Sequence, residues 1–132
     1  MYIKIMTRIT PEFITELAES EIFVFGSNLK GYHYGGAARI ARNKFGAIHG
    51  QGIGLQGQSY AIPTMQGNID TIKPYVDEFI KFAKCHKEMT FLVTKIGCGI
   101  AGFKVLEIAP LFYDCIEIEN VYLPLEFWDT YE

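Results

Sequence analysis

The chain has 132 residues, 49% of them hydrophobic and 20% charged, with a formal net charge of −3. Two domains would each be too small to bury a core, and ten Phe and eight Tyr bring more apolar surface than a disordered chain carries. The acidic balance speaks against a general nucleic-acid binder, no apolar run reaches the roughly 20 residues of a membrane helix, and Cys85, Cys98 and Cys115 form neither a disulfide frame nor a zinc motif.

Residues 2–6 alternate and are partly β-branched, which predicts a first strand. They lack the long apolar stretch and small-residue cleavage site of a secretory leader, so a cytoplasmic protein with reduced thiols is expected. Thr10-Pro11-Glu12 reads as a helix start, and Phe13, Ile14, Leu17 and Ala18 follow on one face. Ile22-Phe23-Val24-Phe25 is a continuous apolar run, as in a strand buried on both faces, and it ends at Gly26-Ser27-Asn28. Residues 36–45 fit a helix with Ala37, Ala38, Ile40, Ala41 and Phe45 apolar and Gly46 closing it. Residues 47–57 read as a loop, with Gln51, Gln56 and Gln58 available to order it. A short strand over 59–62 stops at Pro63. Asp70 is the expected cap of a long helix to about His86, with Pro74 in its first turn and a core stripe of Ile69, Ile72, Val76, Phe79, Ile80 and Ala83. A strand over 91–96, a loop over 97–102, a helix starting near Glu107 with Pro110 in its first turn, and a strand over 121–125 complete the chain. Strands alternating with helices predict one α/β domain over residues 1–132, three layers deep with a mostly parallel mixed sheet. Ligands of such sheets bind beyond the carboxyl ends of the strands, so the informative loops leave Phe25, Ile62 and Ile96.

Two of those loops are glycine-rich. Gly26, Gly31, Gly35, Gly36, Gly46, Gly50, Gly52, Gly54 and Gly57 crowd one stretch, and Gly97, Gly99 and Gly102 another. Glycine there either serves tight turns alone or lets backbone N–H groups approach an anion. Gly52-x-Gly54-x-x-Gly57 runs into a strand, the wrong context for a phosphate loop; Gly97-x-Gly99-x-x-Gly102 lies between a strand and a helix, the right one. Too little chain follows it for a dinucleotide fold, so a phosphate site is expected without NAD, and no cofactor or metal is called for. From Ile22 to Ile69 there is no Asp or Glu, while Lys30, Arg39, Arg42 and Lys44 fall within that span: an anion site, or a chance gap in the acids. Asn28 offers donor and acceptor to a ribose hydroxyl, or closes an Asx turn.

Val24-Phe25-Gly26-Ser27-Asn28, followed by Gly35-Gly36-Ala37-Ala38 and Lys44-Phe45-Gly46, resembles the first ligand loop of macro domains, which are ADP-ribose-binding α/β domains. Ile96-Gly97-Cys98-Gly99-Ile100-Ala101-Gly102-Phe103 is similar to their second loop, and Tyr60-Ala61-Ile62-Pro63-Thr64 to the strand between. The likeness spans roughly residues 22–112. It implies that Asn28 meets the distal ribose and that Gly35, Gly36 and Ala37 pass close to that ribose and the phosphates. It also implies that Gly97, Gly99, Ile100, Ala101 and Gly102 wrap the diphosphate and that Phe103 packs on a ribose or base. The acid that reads adenine in a Gly-Asp-Ile-Thr stretch is replaced by Arg8 in Thr7-Arg8-Ile9-Thr10, and Tyr32-His33-Tyr34 is an insert that either stacks on a base or covers the loop.

The first expectation is therefore a module for ADP-ribose, free or attached to a macromolecule. The alternatives are an ADP-ribosyl hydrolase or nucleotide phosphohydrolase, and an interaction domain that has lost its ligand. For a hydrolase the candidate catalytic side chains are Asn28, His33 as acid–base and Lys30 as electrostatic group or amine, each also readable as an ordinary loop residue. Cys98 is either a filler or a thiol activated by an amide-rich helix start.

Overall fold

Strand β1 (Glu21–Ser27) takes up the apolar run, and its side chains alternate between two cores. Ile22 and Val24 join Tyr60, Ile62, Phe79 and Phe91; Phe23 and Phe25 join Ala38, Ala41 and Phe45. A strand with period 2 and apolar on both sides has no other way to hide every residue. The computed structural model describes residues 7–132, and the strand expected over 2–6 lies outside them.

After β1 come α1 (Gly36–Lys44), β2 (Gly54–Gln56), β3 (Ser59–Pro63), α2 (Ile69–Cys85) and β4 (Thr90–Val93). Helix α3 (Val105–Ile108) runs on as a 3-10 helix, η1 (Ala109–Glu117), before β5 (Val121–Tyr122) and α4 (Leu125–Thr130). Among the described residues the fold is α/β with a five-stranded mixed sheet in the order β2-β3-β1-β4-β5. β1 is parallel to both β3 and β4, β4 is parallel to β5, and only β2 runs antiparallel, against β3. In α2, Ile72, Val76, Phe79, Ile80 and Ala83 are buried, each large one contributing about 1.5–3 kcal/mol by leaving water. Among the described residues no helix is long and apolar enough to cross a membrane.

Residues 10–18 do not form the expected helix. The Thr10 N–H donates to Leu123 O at 2.9 Å, continuing the Ile9–Leu123 bridge, and its buried hydroxyl caps nothing. Ile14 and Leu17 pack on the Phe23 core, whereas Phe13 is 83% exposed. Extended pairing at the start of the segment has overridden helical spacing. Asn68 rather than Asp70 caps α2, its Oδ1 accepting the Asp70 N–H at 3.1 Å. Pro74 consequently falls in the second turn, where it removes a bond to the Asp70 carbonyl. Helix α3 begins two residues before Glu107, whose carboxylate accepts the Lys104 N–H at 2.9 Å as a first-turn acid, and Pro110 falls in η1. β4 ends at Val93, short of Ile96, and β5 ends at Tyr122 ahead of Pro124, after which α4 buries Phe127 and Trp128. The stretch 47–57, read as loop throughout, contains β2, joined to β3 by a tight turn at Gly57-Gln58.

Candidate functional site

Parallel pairing of β1 with β3 and β4 sets three carboxyl ends side by side, and a cavity of about 380 Å³ opens beyond them. Ser27 and Asn28 enter it from β1, Thr64 and Met65 from β3, and Thr94 and Lys95 from β4. The two glycine loops form facing walls. A Cβ placed on Gly35 would stand 3.1 Å from Ile100 Cδ1, and one on Gly36 3.8 Å from the same atom. Gly35, Gly36, Ala37, Gly97, Gly99, Ile100 and Ala101 all line this one hollow.

Both walls present unpaired main-chain donors. Gly35 is an extended N-cap without a side-chain bond, so the first N–H groups of α1 have no partner within the helix. Across the cavity, the N–H groups of Cys98, Gly102 and Phe103 hold their loop, donating to Lys95 O, Gly99 O and Gly97 O at 3.1, 3.0 and 2.9 Å. Those of Gly99, Ile100 and Ala101 have no acceptor among the described residues. The positive end of α1 adds to the same field. Among the described residues no carboxylate lines the cavity, and Lys95 is its one cation. Lys95 Nζ is held by Glu126 Oε2 at 3.1 Å, a bond that raises the lysine pKa. Glu126 is lowered, first by a backbone N–H and then by Lys95.

The other expected site residues divide between the cavity and its surroundings. Asn28 lines the cavity, but its amide also closes its own turn: Nδ2 donates to Tyr32 O and Oδ1 accepts the Tyr32 N–H, both at 2.8 Å. One N–H and one lone pair remain for a ligand. His33 is fully buried beneath the loop, edge-on to Phe25, with Nε2 at 3.0 Å from Gln51 O and 3.3 Å from Gln56 Oε1. It does not line the cavity, and its Nε2 between two acceptors braces the loop. Lys30 does not line it either; its ammonium lies 5.9 Å from the Tyr32 ring centre. Gly102 and Phe103 fall outside the lining, the half-buried Phe103 packing beside Gly97 and the core. Two of the three glutamines order their loop as expected: Gln56 donates to Gln51 O and Gly54 O, and Gln51 to Ile53 O and Leu55 O, whereas Gln58 reaches away to the carbonyls of Ala18, Glu19 and Glu21.

Arg8 does not replace the adenine-reading acid as a ligand contact. Its buried guanidinium donates to the carbonyls of Cys115, Ile116, Ile118 and Val121 and lies 5.1 Å from the centre of the Trp128 ring. Cys98 fits the filler alternative: half-buried, with Sγ 3.6 Å from Ile96 O, its thiol is pushed up by burial rather than activated. At pH 8, iodoacetamide should therefore modify the exposed Cys85 first and Cys98 roughly tenfold more slowly. Cys115, buried and raised to about 12, should react only on unfolding. Peptide mass mapping reads the order, and equal rates at Cys85 and Cys98 would refute it.

Ser27, Thr64, Met65, Thr94 and Lys95 line the cavity without having been singled out in the sequence. Their only signal is position, just past the ends of strands that prove to be neighbours of β1. No family model, curated protein or solved structure matches this chain.

Proposed function

We propose that this is a macro-like, three-layer α/β module that binds ADP-ribose or a related nucleotide diphosphate between its two glycine loops. The observation that carries the reading is the facing of two sets of unpaired amides across one cavity free of carboxylates. A pyrophosphate spreads charge over several oxygens and is matched by several fixed N–H donors better than by one mobile cation. A second hollow of about 730 Å³ adjoins the first, sharing Gly36, Ala37, Thr94 and Lys95. Ile9, Pro11, Phe23, Ile40 and Leu125 make it apolar, which suits a nucleoside half, and Glu12 and Glu126 are the carboxylates on it. Binding is favoured over hydrolysis because His33 is buried and Lys30 lies off the cavity, which leaves Asn28 alone of the three catalytic candidates at the site. The interaction-domain reading loses its support with Arg8 engaged in the core.

Isothermal titration with ADP-ribose, ADP and NAD is the test: saturable heat with ADP-ribose is expected, and none at millimolar ligand would end the proposal. Lys95→Met should weaken ADP-ribose about fivefold, the worth of one charge-assisted contact near 1 kcal/mol. Its exposed ion pair adds little to stability, so the melting temperature should stay put. Unchanged affinity would remove Lys95 from the site.

A further inference from the structure

Helix α1 carries two cations that the diphosphate reading does not use. Arg39 and Arg42, three residues apart and so neighbours on the helix surface, wall a shallow polar hollow with Asn43, Tyr34 and His33. Tyr34 also lines the cavity, whereas Arg39, Arg42, Asn43 and His33 do not. The ion pairs among the described residues, Lys73–Asp77 and Lys95–Glu126, involve neither arginine, and residues 22–69 contain no Asp or Glu. Exposed arginines by themselves are an ordinary solvated face. What sets this hollow apart is its floor. His33 is 0% exposed, and its Nδ1 is a buried nitrogen without a hydrogen-bond partner among the described residues.

The other ring nitrogen settles what Nδ1 offers. Nε2 lies 3.0 Å from Gln51 O and 3.3 Å from Gln56 Oε1. The glutamine oxygen is identified by its own bonds: Oε1 accepts the Ile48 N–H at 2.8 Å, and the Gln56 amide nitrogen donates to Gln51 O and Gly54 O. Two acceptors around Nε2 put the neutral ring's proton there, which leaves Nδ1 as a bare lone pair. A buried lone pair calls for a donor, and two unpaired guanidinium groups call for an anion. Water donates but brings no charge. Sulfate, carboxylates and the phosphodiesters of nucleic acid bring charge but no O–H. Hydrogen phosphate brings both. We infer that the hollow is a site for free hydrogen phosphate, whose O–H donates to His33 Nδ1 while its other oxygens accept from Arg39, Arg42 and the Asn43 amide. The site goes beyond the reading of the cavity and does not depend on it.

The test is titration calorimetry of the whole chain at pH 8 with inorganic phosphate, sulfate and phenyl phosphate at matched ionic strength. Inorganic phosphate keeps an O–H at that pH, whereas a monoester, with a second pKa of about 6, has lost its own. Phosphate should bind saturably with a Kd of about 1 mM or tighter, and sulfate and phenyl phosphate at least about tenfold more weakly, because their oxygens leave the lone pair unmet. Phosphate could instead enter the cavity between the glycine loops, and two measurements locate it. The double variant Arg39→Gln with Arg42→Gln alters two exposed, unpaired side chains, so it should keep the parent's melting temperature and bind phosphate at least about tenfold more weakly. In long-range 1H–15N spectra the Nδ1 signal of His33 should move with the same Kd as the heats, while Nε2 stays protonated. Sulfate or phenyl phosphate binding as tightly as phosphate would show that no O–H is read at Nδ1 and would overturn the inference. Phosphate binding that survives the double variant, or that leaves the His33 signals in place, would put the ion elsewhere and overturn it too. So would the absence of heat at about 20 mM phosphate. None of these results touches the reading of the cavity, which stands or falls with ADP-ribose.

Discussion

Gly52→Ala is expected to lower the melting temperature by roughly 6–12 °C and to weaken ADP-ribose binding more than about tenfold. A Cβ at this position would stand 2.1 Å from the Asn28 carbonyl oxygen and 2.8 Å from that of Leu29. Both obstacles are backbone, so no side-chain rotation relieves them. The approach is tight from the other side as well: Gly31, at φ +72°, would set a Cβ 2.3 Å from Gln51 N. Hydrogen bonds fasten the two segments at that spacing, from Gly50 N–H to Gly31 O at 2.8 Å and from Ser27 Oγ to Gly52 O at 2.5 Å. Forcing them apart costs about 2–3 kcal/mol, as overpacking does elsewhere in proteins. The segment that must yield carries Asn28 and Tyr32, so one wall of the cavity moves with it. Gly99→Ala is the companion experiment. A Cβ there meets nothing within 4 Å, and its melting temperature should stay within about 1 °C of the parent. If Gly52→Ala melted at the parent's temperature, the glycine-only approach would be wrong.

Arg8→Met should cost about 3–4 kcal/mol, or roughly 10–15 °C, and leave ligand affinity intact. Four carbonyls accept from this guanidinium, and those of Cys115 and Ile116 belong to the last turn of η1; Cys115 O also accepts the Ile118 N–H at 3.0 Å, so the Ile116 carbonyl depends most on Arg8. The charge also sits at the negative end of that helix. Burial lowers the arginine pKa, and Cys115, Glu119 and Glu117 work against that. Met fills the space of the stem but returns none of the bonds. Differential scanning calorimetry measures the loss, and titration well below the transition measures affinity. A variant that kept its melting temperature but changed its preference between adenosine and guanosine diphosphates would place Arg8 at the ligand.

How far the sequence could be read varied with what each element needs. The buried run at 22–25 and the stripe of α2 were legible because burial on both faces and period 3.6 leave few alternatives. The glycine loops were legible as loops, and their meeting followed from the order of strands. Local spacing failed where a distant partner decided the outcome. Residues 10–18 carry helical spacing but are tied to Leu123, and no local signal announces that bond. His33 looked like a loop acid–base group, and only the fold shows Gln51 and Gln56 closing over it. Lys95 and Thr64 are ordinary residues in the sequence and become cavity walls once β3 and β4 flank β1. Arg8 matches a motif position whose side chain here turns to the core.

The margins of the sheet have a consequence for how molecules of this chain meet one another. Among the described residues one border strand, β2, is three residues long and runs against its neighbour; the other, β5, is two residues long and stops before Pro124. Neither offers a row of free amides and carbonyls long enough for a second sheet to zip onto. The long parallel run in β1 stays shut between β3 and β4. At these two described borders, crowding should therefore not drive edge-on strand addition while the chain remains folded.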